Sequence, residues 1–318
     1  MLENNLTFAR SPLRRSLLRQ GGAEGSGSNV GSPSIRRIAC REIRVCDLDA
    51  TADLLTRGFR DRDRRFWVRA LHRLTEHPTP RGFAKYGYLL EQRGVPKGVL
   101  LLIFSSIAAE AEQGIRGCTS SWYIEPDYRA YASLLAAYAL RHRSVTYVNI
   151  TPDPRTWPIL QAQGWQRYCE GRFISAPALF GNERGAELIP ITPETNRTDL
   201  LPTFEMDLLR RHAGYGCISL VCRSGGEAVP FVFLPYHEFG TLPAAHLAYC
   251  RRPDDFVRFS GALARYLTRR GMLALVTDAS CPVKGLVGCY LRAPKYFKGP
   301  LRPAHGDMAY SERVVFGF

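Results

Sequence analysis

The chain has 318 residues, of which 45% are hydrophobic, and a formal net charge of +14. That is enough for two cores, since domains of roughly 100 to 200 residues are typical. The longest uninterrupted apolar run, "GVLLLIF" at 98–104, falls far short of the ~20 residues of a membrane-spanning helix. A pI near 9.6 favours anionic partners without choosing among them, and nucleic-acid binding would rest on charge alone, with no helix-turn-helix or aromatic-basic motif behind it.

The basic charge is almost all arginine, 38 Arg against five Lys, and arginine's fork suits phosphate and carboxylate. GC-rich coding would give the same skew. Nine cysteines stand singly, at 40, 46, 118, 169, 217, 222, 250, 281 and 289. With no CxxC pair and an odd count, they indicate a reducing, cytoplasmic setting rather than a disulfide framework. No Cys or His spacing suits zinc, so no metal is expected.

Residues 1–38 are Ser-, Gly- and Arg-rich and are expected to form a disordered basic tail. From Glu42, "EIRVC" alternates like a strand, and "DLDATADLLTRGF" and "FWVRALHRL" carry helical spacing, with His72 and His77 expected on the solvated face. "AKYGYLLEQRGVPKGVLLLIFSS" reads as a hairpin around Gly-Val-Pro. "WYIEPDYRAYASLLAAYALRH" at 122–142 reads as a strand to Ile124, a corner, and a helix from about Tyr128 to Arg141. Then come a buried strand "VTYVNI", a short helix ending near Gly164, and a strand or hairpin in "RYCEGRFISAPAL".

The second half repeats this plan. "CISLVCRSGGEAVPFVFLPY" is a hairpin, "AHLAYCRRPDD" a strand ending in Pro-Asp, "FVRFSGALARYLTRRG" a helix and "LALVTD" the counterpart of "VTYVNI". The expected class is α/β with a mixed sheet in two repeats, 39–180 and 181–318, divided near 180–195. "KYFKGPLRPAHGD", with Lys295, Lys298, Arg302 and His305, reads as an exposed loop.

A helix N-terminus with free N–H groups and a positive dipole end can hold a pyrophosphate, and Arg129 in its first turn would add a charged fork. The competing reading is a surface arginine on a packed helix. The element order over 42–179, with Pro126, Arg129 and Gly164-Trp165, resembles the GNAT acyltransferase superfamily. The resemblance implies an acyl-CoA co-substrate, acetyl-CoA or a longer one, with its pantetheine between two splayed strands and its pyrophosphate at Arg129, Ala130, Tyr131, Ala132 and Ser133. Ala132 stands where the family's first phosphate-loop glycine belongs, and Leu134 where its second small residue does.

The family's tyrosine acid corresponds to Leu160, leaving Tyr123 and Tyr168 as candidate proton donors. Glu125, Glu110 and Glu112 are candidate bases for deprotonating an acceptor amine; Glu125 also fits a helix-start charge. Ser120 and Ser121 are candidates to face substrate. Cys118 is the one thiol to check as a nucleophile, although no partner base stands at readable spacing. Phe256 replaces Arg129 in the second repeat and Asp254-Asp255 would repel a phosphate, so that copy is expected to be degenerate. Mycothiol synthase and the FemABX aminoacyltransferases resemble the tandem plan. Two functions follow as expectations: an N-acyltransferase acting by direct attack of a small-molecule or peptide amine, and a non-catalytic binding module on a decayed GNAT fold. Oligomeric state is unreadable.

Overall fold

The computed structural model describes residues 38–108, 113–179, 186–197 and 199–317. The expected basic tail and the candidate bases Glu110 and Glu112 lie outside them.

The first unit runs β1 (Ile38–Glu42), α1 (Leu48–Gly58), α2 (Arg64–Glu76), β2 (Gly87–Gln92), β3 (Val95–Ala108), β4 (Gln113–Ile124), α3 (Ala132–Ala139), β5 (Val145–Asn149), α4 (Trp157–Ala162) and β6 (Gln166–Ser175). The second runs β7 (Glu187–Ile191), α5 (Thr203–Gly214), β8 (Ile218–Ser224), β9 (Glu227–Glu238), β10 (Leu242–Cys250), α6 (Pro253–Thr268), β11 (Ala274–Ala279), β12 (Gly288–Lys298) and α7 (Glu312–Phe316). All strands join one 12-stranded sheet in the order β1-β2-β3-β4-β5-β12-β6-β11-β10-β9-β8-β7. Among the described residues, only β4-β5 and β10-β11 pair in parallel.

That order mirrors itself about the β12-β6 junction. Each unit's last strand sits inside the other unit: β12 pairs with β5, and β6 pairs with β11. The two repeats therefore share one sheet through exchanged strands.

Alternation along the strands sends side chains to two faces. On one face of the first unit, α1 and α2 bury Leu54, Leu55, Trp67 and Leu71 against Leu101, Ile103, Cys118 and Val148. Asp63 caps α2 by accepting the Phe66 N–H at 2.7 Å. On the other face, α3 and α4 cover Leu102, Phe104, Ile124 and Tyr147 with Leu135, Ala139 and Leu160. In the second unit α6 packs Phe256, Phe259 and Leu263 on Phe231 and Phe233.

Four sequence readings change. The helix expected from Tyr128 to Arg141 is a 3-10 helix over Pro126–Tyr131 followed by the shorter α3; the Tyr128 hydroxyl, donating to Gln92 Oε1 at 2.6 Å, pins the tighter turn against β2. His77 is buried rather than solvated, donating from Nε2 to the Phe104 carbonyl at 2.9 Å. Of the strand expected in "EIRVC" only Glu42 belongs to β1, and Val45–Asp47 form a 3-10 helix, while of the strand or hairpin expected in "RYCEGRFIS" the structure has the strand, β6. Lys295 and Lys298 lie on β12, not in a loop, because the intervening Tyr296 and Phe297 are core residues that draw this stretch into the sheet.

Candidate functional site

β4 and β5 pair from Ile115↔Val145 to Cys118↔Val148 and then separate. β4 continues along β3 to Ile124, with one irregularity: Ser120 and Trp122 oppose the adjacent Leu101 and Leu100, leaving Ser121 unpaired at φ 38°. Such a bulge sharpens strand twist and re-aims neighbouring groups. The wedge between the strands opens into a cleft enclosing about 140 Å³. Its lining comes from both faces of the sheet: Arg129, Ala132, Ala136, Leu160 and Trp165 on the α3 side, and Gly58 and Phe59 at the end of α1 on the other. Thr119, Ser120, Ser121, Asn149 and Thr151 form its waist.

This cleft gathers some of the sequence-derived candidates and not others. Arg129, Ala132 and Tyr123 line it, while Ala130, Tyr131 and Ser133 lie outside the lining. Tyr123 packs with the α1-side core, and Trp122 with the α3-side core. Glu125 is held in ion pairs with Arg57 at 3.0 Å and Lys97 at 3.1 Å, beside the corner and outside the lining. Tyr168 is buried beneath the α1 face, outside the lining, and burial pushes its phenol well above the ordinary range. Ser120 and Ser121 share a hydrogen bond at 3.0 Å at the waist.

Cys118 carries no activated thiolate. Burial, then the negative charge of Glu312, drives its pKa well up, and its S–H donates to Glu312 Oε2 at 2.8 Å.

The second unit has the same gap, filled by its own chain. β10 and β11 pair from Ala244↔Ala274 to His246↔Val276. Beyond that, residues 306–308 run antiparallel to β10 along its β11-facing edge: Cys250 N–H donates to the Gly306 carbonyl at 3.0 Å, Met308 N–H to the Ala248 carbonyl at 2.8 Å, and Asp307 bridges to Tyr249. β9 holds the other edge of β10 here, so these bonds occupy the gap that is open in the first unit. Gly306, at φ 75°, turns the chain where a Cβ would stand 2.9 Å from Cys250 Sγ. At the α6 N-terminus, Phe256 is buried where the first unit has Arg129, and Asp255 pairs with Arg252 at 3.1 Å.

Charged side chains are buried where this strip meets the sheet. Asp278 lies between His246, at 3.1 Å, and Lys295. Burial alone would raise the Asp278 carboxyl, but Lys295 and His246 hold it below the usual carboxylate range. His246 is kept neutral, its pKa lowered to about 3 by burial. Its Nδ1 accepts from Arg313 at 2.9 Å.

Past the strip, α7 returns to the first unit. Glu312, 2% exposed, sends Oε2 to Cys118, the last paired residue of β4, and accepts from the Thr151 hydroxyl through Oε1 at 2.7 Å. Burial raises its carboxyl above the ordinary value. No sequence pattern points to Glu312. The only local signal was a lone carboxylate beside the apolar run Val314, Val315 and Phe316, which does not identify the strand it meets.

No protein-family model and no curated protein matches this sequence. Solved structures do. The chain is similar to a GCN5-related N-acetyltransferase from Anabaena variabilis (TM-score 0.55, 10% identity, 82% of this chain and 72% of that one). It is also similar to a GCN5-related N-acetyltransferase from Kribbella flavida (TM-score 0.53, 11% identity, 84% and 72%). A conserved protein of unknown function from Enterococcus faecalis, a probable N-acyltransferase, aligns at TM-score 0.51 and 9% identity over 82% and 72%. The chain therefore has the fold of the GCN5-related N-acetyltransferase, or GNAT, superfamily.

Proposed function

We propose that this protein is an acyl-CoA-dependent acyltransferase that moves an acyl group, probed first as acetyl, from CoA to an amine by direct attack on the thioester. The observation that carries this reading is the contrast between the two gaps. One holds a cleft lined by residues from both faces, Arg129 among them; the other, built on the same strands of the repeat, is filled by residues 306–308. A gap kept open costs packing contacts, and here it is lined by polar groups at its waist and a cation at one mouth.

In this reading the pantetheine enters from the α3 side. Arg129 meets the pyrophosphate, whereas the expected backbone donors at 130–133 are drawn into the 3-10 helix and α3, the Ala132 N–H donating to the Arg129 carbonyl. The amine approaches from the α1 side, past Gly58 and Phe59. Tyr123, which lines the cleft, is the nearest candidate to protonate the leaving thiolate; Tyr168 would have to act through intervening groups. Glu125, engaged by Arg57 and Lys97, serves better as the brace of the strand end than as a base. Cytoplasmic placement and a small-molecule or peptide acceptor belong to the same proposal.

The test is isothermal titration with acetyl-CoA and longer acyl-CoAs, beside Arg129→Ala. Micromolar binding that weakens about tenfold or more in the variant, the worth of one charge-assisted phosphate contact, supports the reading. No binding by the wild-type protein overturns it. Binding with no transfer to any amine would leave a binding module on a GNAT fold.

A further inference from the structure

We infer that Glu312, delivered to the cleft by the C-terminal helix of the other unit, is the terminal proton acceptor of the acyl transfer, working through the Thr151 hydroxyl. The inference rests on the acyltransferase reading above.

A protonated amine cannot attack a thioester, and the ammonium formed on attack must lose a proton, so the reaction needs a base on the side from which the amine arrives. Glu125 is committed to two cations outside the cleft. Glu312 lies on the α1 and α2 face, where α7 packs on α2 and β4. Its two oxygens do different things. Oε2 is anchored on Cys118, which lies outside the cleft lining, and Oε1 takes the hydroxyl of Thr151, which is exposed and lines it. Thr151 thus joins the cleft to a carboxylate that solvent does not reach.

The step balances as follows. The amine nitrogen attacks the thioester carbonyl carbon and the N–C bond forms. The ammonium proton passes to Thr151 Oγ1 while the Thr151 proton passes to Glu312 Oε1. The C–S bond breaks with its electron pair going to sulfur, and the thiolate takes up the proton that Glu312 returns to the cleft through Thr151.

The charged and titratable groups around Glu312 come from β4, α2 and its own helix: Cys118, with Arg116 acting on that thiol, Arg73, donating to the Val315 carbonyl at 3.3 Å, and Arg313. Arg116 is committed to Asp307 at 2.5 Å, and Arg313 to His246 at 2.9 Å. Neither forms an ion pair with Glu312. Because Glu312 touches the substrate only through Thr151, it is a positioning and relay residue, and only a pH-resolved readout separates that role from a structural one.

The experiment measures CoA release from acetyl-CoA with a panel of primary amines (diamines, amino sugars and short peptides) across pH, on the full chain, with acetyl-CoA affinity by titration in parallel. Glu312→Gln and Thr151→Val are expected to lower kcat about 100-fold or more near neutral pH and to reduce the acid limb of the pH profile to the one set by the amine's own protonation. Glu312→Gln, outside the cleft lining, should leave acetyl-CoA affinity unchanged. Cys118→Ala, which removes only the anchor of Oε2, should keep the acid limb, whereas a purely structural role predicts the same profile change in all three variants. Transfer by Glu312→Gln with the wild-type rate and profile overturns the relay and leaves the acyltransferase reading standing. Wild-type protein that binds no acyl-CoA overturns both.

Discussion

Arg116 and Asp307, 191 positions apart, form a two-pronged ion pair, with Nη1–Oδ1 at 2.9 Å and Nη2–Oδ2 at 2.5 Å. Arg116 is on β4 beside the open gap, and Asp307 is in the strip that fills the closed one. Burial works against both charges, yet each holds the other ionised: the Asp307 carboxyl lies below its usual range and Arg116 above its own. Removing one partner leaves the other buried and uncompensated. Asp307→Asn is therefore expected to destabilise the fold by about 3 to 5 kcal/mol, read from urea unfolding. Retention of wild-type stability would show that the pair fastens nothing.

Acid should weaken the protein well before its carboxylates titrate. His77, His212 and His246 are each arranged to be neutral, one ring nitrogen donating and the other accepting: His77 to the Phe104 carbonyl and from Tyr215, His212 to the Leu208 carbonyl and from the Tyr310 N–H, His246 to Asp278 and from Arg313. Burial depresses their values from 6.5 to about 4, about 4 and about 3. Between these and 6.5 the unfolded chain binds more protons than the folded one, so stability rises with pH and is lost as pH falls through this window. Urea midpoints that drop from pH 7 to pH 5, with proton uptake on unfolding approaching one per histidine, are expected; a flat profile contradicts the buried neutral assignment.

Thiol reactivity should divide by exposure. Cys46, Cys281 and Cys289 are exposed, whereas Cys118, Cys169, Cys217, Cys222 and Cys250 are buried, with burial the main cause of each raised thiol. A disulfide reagent should modify the first group in the native state and reach the second only on unfolding. Rapid native labelling of Cys118 would show that the α7 face opens.

Gly58 sets how closely α1 approaches the cleft, because a Cβ there would lie 2.4 Å from the Tyr123 ring. Gly58→Ala must displace that ring. The expected cost is about 1 to 3 kcal/mol of stability, with a larger change in amine KM than in acyl-CoA affinity, since the ring faces the α1 side. Unchanged amine KM would remove Tyr123 from the acceptor path.

What was legible in the sequence was local. Pro126 and Arg129 mark the corner, "VTYVNI" and "LALVTD" mark the buried strands, and their repetition gives the tandem α/β plan. The rest depends on distant partners. The unpaired position at Ser121 exists only because Ser120 and Trp122 oppose consecutive residues of β3. His77 has the local look of a helix-end surface residue, and only Phe104 and Tyr215 make it a core group. Lys295 reads as a loop cation until Asp278 stands beside it, and Glu312 reads as a helix-start charge until Cys118 and Thr151 do.

The exchange of β6 and β12 fixes an order of events during synthesis. β12, residues Gly288–Lys298, pairs with both β5 and β6. Until it emerges from the ribosome, β5 has no partner on its far side and the first unit presents an unpaired edge, the kind of template that invites aggregation. The first unit's sheet, and the cleft beside it, are therefore completed only after the second unit has been made through β12. The Glu312 carboxylate, which reaches the cleft through Thr151, is made later still.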